Sequence, residues 1–173
     1  MDRARSGTVD HRRRDIRDNL MGMSVDTEQM IKDTFGRGFD STALGLVLDE
    51  VTADRVLAHF ELTPQHHQPF GIVHGGVYCA VAESVASCSG FTWLQDSGIG
   101  GTAVGVNNNT DFIKSVSNGT ISVVSEPVHR GRRQQLWRVA MTDDRGRLVA
   151  ASQVRLQNID LPEGVELPSG GDA

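Results

Sequence analysis

Hydrophobic and polar residues alternate along two stretches in the first third of the chain and along four stretches in its second half. Alternation with a period of two is typical of strands with one buried face. It predicts six strands, over residues 44–50, 56–62, 102–113, 119–128, 134–142 and 147–158. Short polar turns, at residues 117–119, 130–132 and 143–146, predict that the last four strands form an antiparallel meander of hairpins.

A different pattern lies between the two groups of strands. Residues 74–94 are rich in small and apolar side chains, contain no proline and are apolar on most sides, which predicts a long buried helix. A shorter helix is predicted from a cap at Asp26 or Thr27 to about Phe35. One long helix against an antiparallel sheet predicts an α+β fold.

The 173 residues suit one domain. We predict a disordered, arginine-rich leader at residues 1–24, the folded domain at residues 25–160 and a flexible tail at residues 161–173. No apolar run reaches the roughly 18 residues of a membrane span, and the first residues lack the apolar core of a signal peptide. We therefore expect a cytoplasmic protein that does not bind membranes.

Charge and cysteine usage narrow the possible partners. The net charge of -5 does not favour nucleic acid, whose binders usually carry a larger positive charge, whereas a local basic cluster suits a small phosphorylated molecule. Cys79 and Cys88 are too far apart on one helix for a disulfide, and reduced thiols fit the cytosol. The histidines and cysteines lack a zinc-site spacing, so we expect no metal.

Two features of the long helix are candidates for chemistry. Gly75 and Gly76 lie at its start, where free N–H groups favour negative charge and glycine lets a ligand approach, as an oxyanion hole requires. Glu83 lies among apolar neighbours, where a carboxylate is rare unless it is paired or functional. A tight turn before the helix would also explain the two glycines. Glu83 could instead lie on a solvent-exposed face of the helix or form a hydrogen bond with Ser87.

Helix geometry adds a constraint on these two candidates. Gly75 and Glu83 are eight residues apart, so one helix separates them by about 12 Å. A carboxylate cannot reach a carbonyl held at the N-terminus of its own helix. If both residues act on one substrate, they must come from two subunits whose helices lie side by side.

Gln68, the tripeptide at residues 74–76, Glu83 and Ser87 together resemble the site pattern of the hotdog-fold thioesterases of the PaaI-like group, which includes the 4-hydroxybenzoyl-CoA thioesterases. The resemblance covers roughly residues 44–158. It implies the hotdog fold, in which a curved antiparallel sheet of about six strands wraps one long central helix. It also implies hydrolysis of an aromatic or medium- to long-chain acyl-CoA to free acid and coenzyme A, with no further cofactor.

The resemblance implies a role for each residue of the pattern. Gly75 donates its N–H to the thioester oxygen, and Gln68 lies near the same carbonyl. Glu83, supplied by the other subunit of a homodimer or homotetramer, acts as nucleophile or as general base, and Ser87 helps to hold the water or the nucleophile. His74 is expected to fix the loop. From the residues alone, Gln68 could equally bind its own backbone, and Ser87 could be purely structural.

The basic cluster near residue 130 is the expected binding site for the coenzyme A phosphates, because arginine forks suit phosphate oxygens. Its members are His129, Arg130, Arg132 and Arg133, with Arg130 and Arg132 as the expected contacts. A solvated hairpin turn is the alternative.

The candidates for the acyl pocket lie outside this pattern. Asp111 departs from the usual text of the family at the segment of the pocket, and Tyr78, Phe91 and Trp93 could line the pocket or pack the core. Two other functions stay open, a non-catalytic acyl-CoA-binding hotdog protein and an enoyl-CoA hydratase. The Asp–His pair of the hydratases does not stand at the matching positions.

Overall fold

The computed structural model describes residues 25–161 and residue 164. The predicted leader at residues 1–24 and most of the predicted tail at residues 161–173 lie outside the described residues. In chain order the elements are α1 (Val25–Phe35), α2 (Phe39–Thr42), β1 (Val47–Val51), β2 (Val56–Glu61), α3 (Gly75–Asp96), β3 (Thr102–Phe112), β4 (Thr120–Arg130), β5 (Gln134–Thr142) and β6 (Leu148–Ile159). A single 3-10 turn, Pro64–His66, lies in the loop before α3.

One antiparallel sheet holds all six strands, in the order β1-β2-β4-β5-β6-β3. The long helix α3 packs on one face of this sheet, and the buried core between them includes Phe60, Ile121, Trp137 and Met141. This architecture confirms the α+β hotdog fold expected from the sequence. The predicted strands and the long helix are all present, with ends that differ by at most three residues, and the four-residue helix α2 is additional.

The expected meander of the last four strands is wrong for β3. Strands β4, β5 and β6 form the hairpins predicted at residues 130–132 and 143–146, but β3 pairs with β6 at the edge of the sheet. The segment at residues 113–119 is therefore a crossover and not a hairpin turn. It is held by backbone hydrogen bonds, from Ile113 and Lys114 to the carbonyl of Val149 and from Val73 to the carbonyl of Val116.

Helix α3 lies close to the sheet because small residues face it. A β-carbon at Gly90 would collide with the end of the Leu156 side chain on β6, so the glycine leaves room for Leu156 between helix and sheet. The helix is apolar on most sides because sheet, loops and α1 surround it. Within the described residues, no helix combines the length and apolarity needed to cross a bilayer.

Candidate active site

The loop before α3 is fixed in place by hydrogen bonds of three histidines. The backbone N–H of His74 donates to the carbonyl of His66 at 2.9 Å, and Nε2 of His67 donates to the carbonyl of Ser117 at 2.8 Å. The Nδ1 atom of His74 then accepts the N–H of Gly76 at 2.8 Å and caps the helix. His74 therefore holds the helix N-terminus, in the position where the sequence pattern expected a loop-fixing residue.

Gly75 is the first residue of α3, and its N–H has no acceptor among the described residues. The N–H of Gly76 is occupied by His74, so Gly75 offers the free donor at this helix end. A β-carbon at Gly75 would lie 2.6 Å from the ring of Phe112, which shows how closely that ring covers the glycine. A free N–H at a helix N-terminus suits a carbonyl oxygen that gains negative charge.

A pocket of about 350 Å³ opens beside this donor. Its lining includes Gln68, Gly75, Tyr78, Phe112, Ile113 and Lys114. The Oε1 atom of Gln68 accepts the N–H of Phe70 at 2.7 Å, which is the local backbone bond considered above. The Nε2 group of Gln68 has no partner among the described residues, so Gln68 can still donate a hydrogen bond into the pocket that it shares with Gly75.

Tyr78 supplies part of the wall of this pocket. Its ring lies 6.2 Å from that of Phe112, centroid to centroid. Burial raises the pKa of the Tyr78 phenol, and the negative charge of Asp143 raises it further. The phenol is thus neutral at physiological pH, and its buried oxygen has no hydrogen-bond partner among the described residues.

Glu83 lies two turns further along α3, half-buried against the edge strand β3. Its Oε2 atom accepts a hydrogen bond of 3.1 Å from Nδ2 of Asn108. Its carboxyl group also lies over Gly105, where a β-carbon would be 2.7 Å from Cδ of Glu83. Ser87 is half-buried one turn later, and the described structure shows no hydrogen bond between the side chains of Ser87 and Glu83.

The structure does not bring all the predicted site residues together within one chain. Gln68 and Gly75 share the pocket at the start of α3, but Glu83 does not line that pocket. Helix geometry accounts for this separation, since eight residues along one helix span about 12 Å. Within one chain, Gln68 and Gly75 therefore form one group of candidate residues and Glu83 lies in another.

The basic cluster is also divided. His129, Arg132 and Arg133 surround a cleft of about 700 Å³ together with Gly131, Gln134 and Gln157. Arg130 is held elsewhere, because its Nη1 donates to Asp54 at 2.7 Å and its guanidinium lies 5.8 Å from the centre of the Trp93 ring. Arg130 is not part of the cleft that contains the other three residues.

The remaining aromatic and acidic candidates occupy different environments. Phe91 is buried and packs on Phe35 with ring centroids 5.6 Å apart, which is a core position. Trp93 faces Arg130, and Asp111 is exposed on β3. Of these candidates only Tyr78 lines the pocket at Gly75.

Gly105, Asn108 and Thr110 contact or support Glu83 and were not singled out from the sequence. The only signal was the run of five polar residues at 107–111 in β3. A second unforeseen contact joins Ser84 to Asp40, with Oγ of Ser84 2.6 Å from Oδ1 of Asp40. Burial raises the pKa of the Asp40 carboxyl.

Both cysteines are free thiols, as the spacing predicted, and burial raises the pKa of Cys88 to about 12. This thiol is therefore protonated and unsuited to act as a nucleophile. Among the described residues, no group of three or more histidine, cysteine or acidic side chains could hold a metal ion.

Comparison with known proteins places this geometry in a family. Residues 70–150 match the family model of the thioesterase superfamily. Rv1847 of Mycobacterium tuberculosis, which carries the name of an esterase, is 54% identical over 122 residues, covering 70% of this chain and 86% of that protein. Its solved structure aligns over 72% of this chain and 98% of that one, with a TM-score of 0.68 at 52% identity.

Two proteins named as thioesterases are also similar. The proofreading thioesterase EntH of Cronobacter sakazakii is 32% identical over 111 residues, covering 64% of this chain and 79% of that protein. The solved structure of thioesterase HI1161 from Haemophilus influenzae is 26% identical, covers 83% of this chain and 96% of that one, and has a TM-score of 0.71. These matches confirm the resemblance seen in the sequence, and they show that the chain belongs to the thioesterase superfamily.

Proposed function

We propose that this protein hydrolyses acyl-CoA thioesters to the free acid and coenzyme A. Thioester hydrolysis is the activity to which its family points, and the positions of three candidate residues support it. The observation that carries the proposal is the free N–H of Gly75, which lies in one pocket with Gln68, combined with a half-buried carboxylate at Glu83. A donor for the carbonyl oxygen and a carboxylate are the two groups that acyl transfer to water needs.

In the proposed reaction the thioester oxygen accepts hydrogen bonds from the N–H of Gly75 and from Nε2 of Gln68. These donors stabilise the negative charge that develops as the carbonyl carbon is attacked. Glu83 either attacks that carbon, giving an anhydride that water then hydrolyses, or removes a proton from the attacking water. In both routes the thiolate leaves and is protonated, so that one water is consumed for each acid and thiol released.

We further propose that Glu83 acts on a thioester bound at Gly75 of a second copy of the chain. The two groups lie on separate turns of α3, and the strand beside Glu83 is an unpaired edge. Four apolar side chains are exposed along or just after β3, to between 41% and 58%: Val104, Val106, Phe112 and Ile113. A long apolar edge strand tends to pair with another chain, and pairing there would bring Glu83 of one subunit towards the other subunit.

The cleft formed by His129, Arg132 and Arg133 supports coenzyme A as the thiol part of the substrate. The residues that surround it carry positive or neutral side chains, with no acidic member. Arginine guanidinium groups bind phosphate oxygens in a planar, bidentate geometry. Because Arg130 is bound to Asp54, the phosphate contacts are assigned in this proposal to Arg132 and Arg133.

The pocket beside Gly75 supports an acyl group of moderate size. Its apolar walls include Ile72, Tyr78, Phe112 and Ile113, which suit an aromatic ring or a medium-length chain. Phe112 is 58% exposed at the mouth, so a longer chain could extend past it.

Thiol release from benzoyl-, phenylacetyl-, hexanoyl- and palmitoyl-CoA tests the proposal. We expect wild-type turnover of at least one substrate, and a fall in kcat of about 100-fold or more in Glu83→Gln, since general bases contribute on the order of 10² to 10⁴. Glu61→Gln, at an exposed position of β2, is the matched control. Turnover that survives Glu83→Gln would contradict the catalytic assignment, and tight binding without turnover would indicate an acyl-CoA-binding protein.

A further inference from the structure

Three consecutive asparagines on β3 have different environments. Asn107 and Asn109 are exposed, whereas Asn108 is half-buried and faces α3. The pairing of β3 with β6 explains the difference, because Gly105 lies opposite Leu156 and Asn107 opposite Arg155, which leaves Val106 as an extra residue. This β-bulge shifts the alternation of the strand, so that Gly105 and Asn108 both face Glu83 although they are three residues apart.

Both polar atoms of the Asn108 side chain, Nδ2 and Oδ1, have hydrogen-bond partners. Its Nδ2 donates to the carbonyl of Cys79 at 2.9 Å and to Oε2 of Glu83 at 3.1 Å. Its Oδ1 accepts the hydroxyl of Thr110 at 2.7 Å, and that hydroxyl lies 2.9 Å from Oγ of Ser152. An amide held at both ends in this way has one orientation, with a donor directed at the carboxylate.

We infer that Asn108 is a positioning residue, which fixes the carboxylate of Glu83 through Oε2 and leaves Oε1 to react. This inference rests on the proposed function, in which Glu83 is the nucleophile or base. Oε1 has no hydrogen bond among the described residues and lies over Gly105, which is exposed and has no side chain to block an approach. Without Asn108 the carboxylate can rotate about its side-chain torsions, and the reacting oxygen spends less time in place.

The neighbouring asparagines provide matched controls. Asn108→Ala removes the donor, while Asn107→Ala and Asn109→Ala remove the same side chain from exposed positions of the same strand. With an acyl-CoA that the wild type hydrolyses, we expect kcat of Asn108→Ala to fall about 10- to 100-fold with KM unchanged, since misplacing a reacting group by about 1 Å costs on that order. The two controls should stay within about twofold. Asn108→Asp, which has nearly the same shape, should lose at least as much activity if Asn108→Ala does not fold.

A double variant separates positioning from a merely structural role. In Glu83→Asp the carboxylate is one methylene shorter and no longer reaches Asn108, so adding Asn108→Ala should cause little further loss of kcat. A further loss equal to that seen in the wild type would overturn the inference, as would equal effects of all three asparagine variants. Failure of the proposed function itself would look different, because wild-type turnover would then be absent or would not depend on Glu83.

Discussion

Gly105→Ala is a small change that should inactivate the enzyme without unfolding it. The added β-carbon would overlap Oε1 of Glu83 and would lie 2.7 Å from its Cδ and 3.3 Å from its Oε2. Ordinary contacts between such atoms are about 3.5 to 4.0 Å. The backbone of Gly105 is not among the glycines with positive φ, so alanine fits the strand and Glu83 is the group that must move.

The expected loss of rate and the expected change in stability both follow from how far Glu83 must move. To reach an ordinary contact distance Cδ of Glu83 must move by about 1 Å and the overlapping Oε1 by more, and a 1 Å displacement already costs on the order of 100-fold in rate, or about 2.7 kcal/mol of transition-state stabilisation. The hydrogen bond from Asn108 to Glu83 is also weakened, at a cost of about 1 kcal/mol of stability. Alanine in a strand gains about 0.5 to 1 kcal/mol over glycine, so the two stability effects nearly cancel.

Steady-state thiol release gives kcat, and urea unfolding of the same preparations gives the free energy of unfolding. We expect kcat to fall about 100-fold, the free energy of unfolding to change by less than about 1 kcal/mol, and the oligomeric state to stay as in the wild type. Asn107→Ala, on the other side of the bulge, should leave all three unchanged. Wild-type kcat in Gly105→Ala would refute the reasoning, because the carboxylate of Glu83 would then not react from its position over Gly105.

Three further predictions concern the buried and ionised groups. Tyr78→Phe removes a buried hydroxyl without a partner among the described residues, so urea unfolding should show an unchanged free energy or a gain of up to about 1 kcal/mol; a clear loss would contradict this. Hydrogen bonding to Arg147 lowers the pKa of Asp143 to about 2, below its value of about 3.9 in unfolded chains. The melting temperature should therefore fall between about pH 4 and pH 2, and fall less in Asp143→Asn. Burial raises the pKa of Asp40, so its stabilising effect is present at low pH and is lost as the pH rises. Asp40→Asn, which can still accept the hydroxyl of Ser84, should be more stable than the wild type at pH 7, and this difference should vanish in acid.

The elements of the fold could be predicted because each leaves a local periodicity in the sequence. Strand pairing could not, because β3 pairs with β6, which is distant in the chain, and the crossover from β3 to β4 is also held by hydrogen bonds to distant residues. The basic cluster is a smaller example of residues that are adjacent in the sequence but separated in the structure. His129 and Arg130 are consecutive on β4, so their side chains leave opposite faces of the strand, and only His129 reaches the cleft.

The contacts of Glu83 depend on which residues of β3 face the helix, and a strict alternation of side chains along β3 predicts the wrong ones. Counting by twos from Gly105 selects Asn107 and Asn109 as the residues that face the helix, and both are exposed. The extra residue at Val106 moves that face to Asn108 instead. Gly105 leaves room for the carboxylate of Glu83, and the amide of Asn108 holds that carboxylate. Both residues face Glu83 only because Val106 has no partner on β6. The sequence shows the residues needed for this arrangement, but the bulge that brings them together is a property of strand pairing.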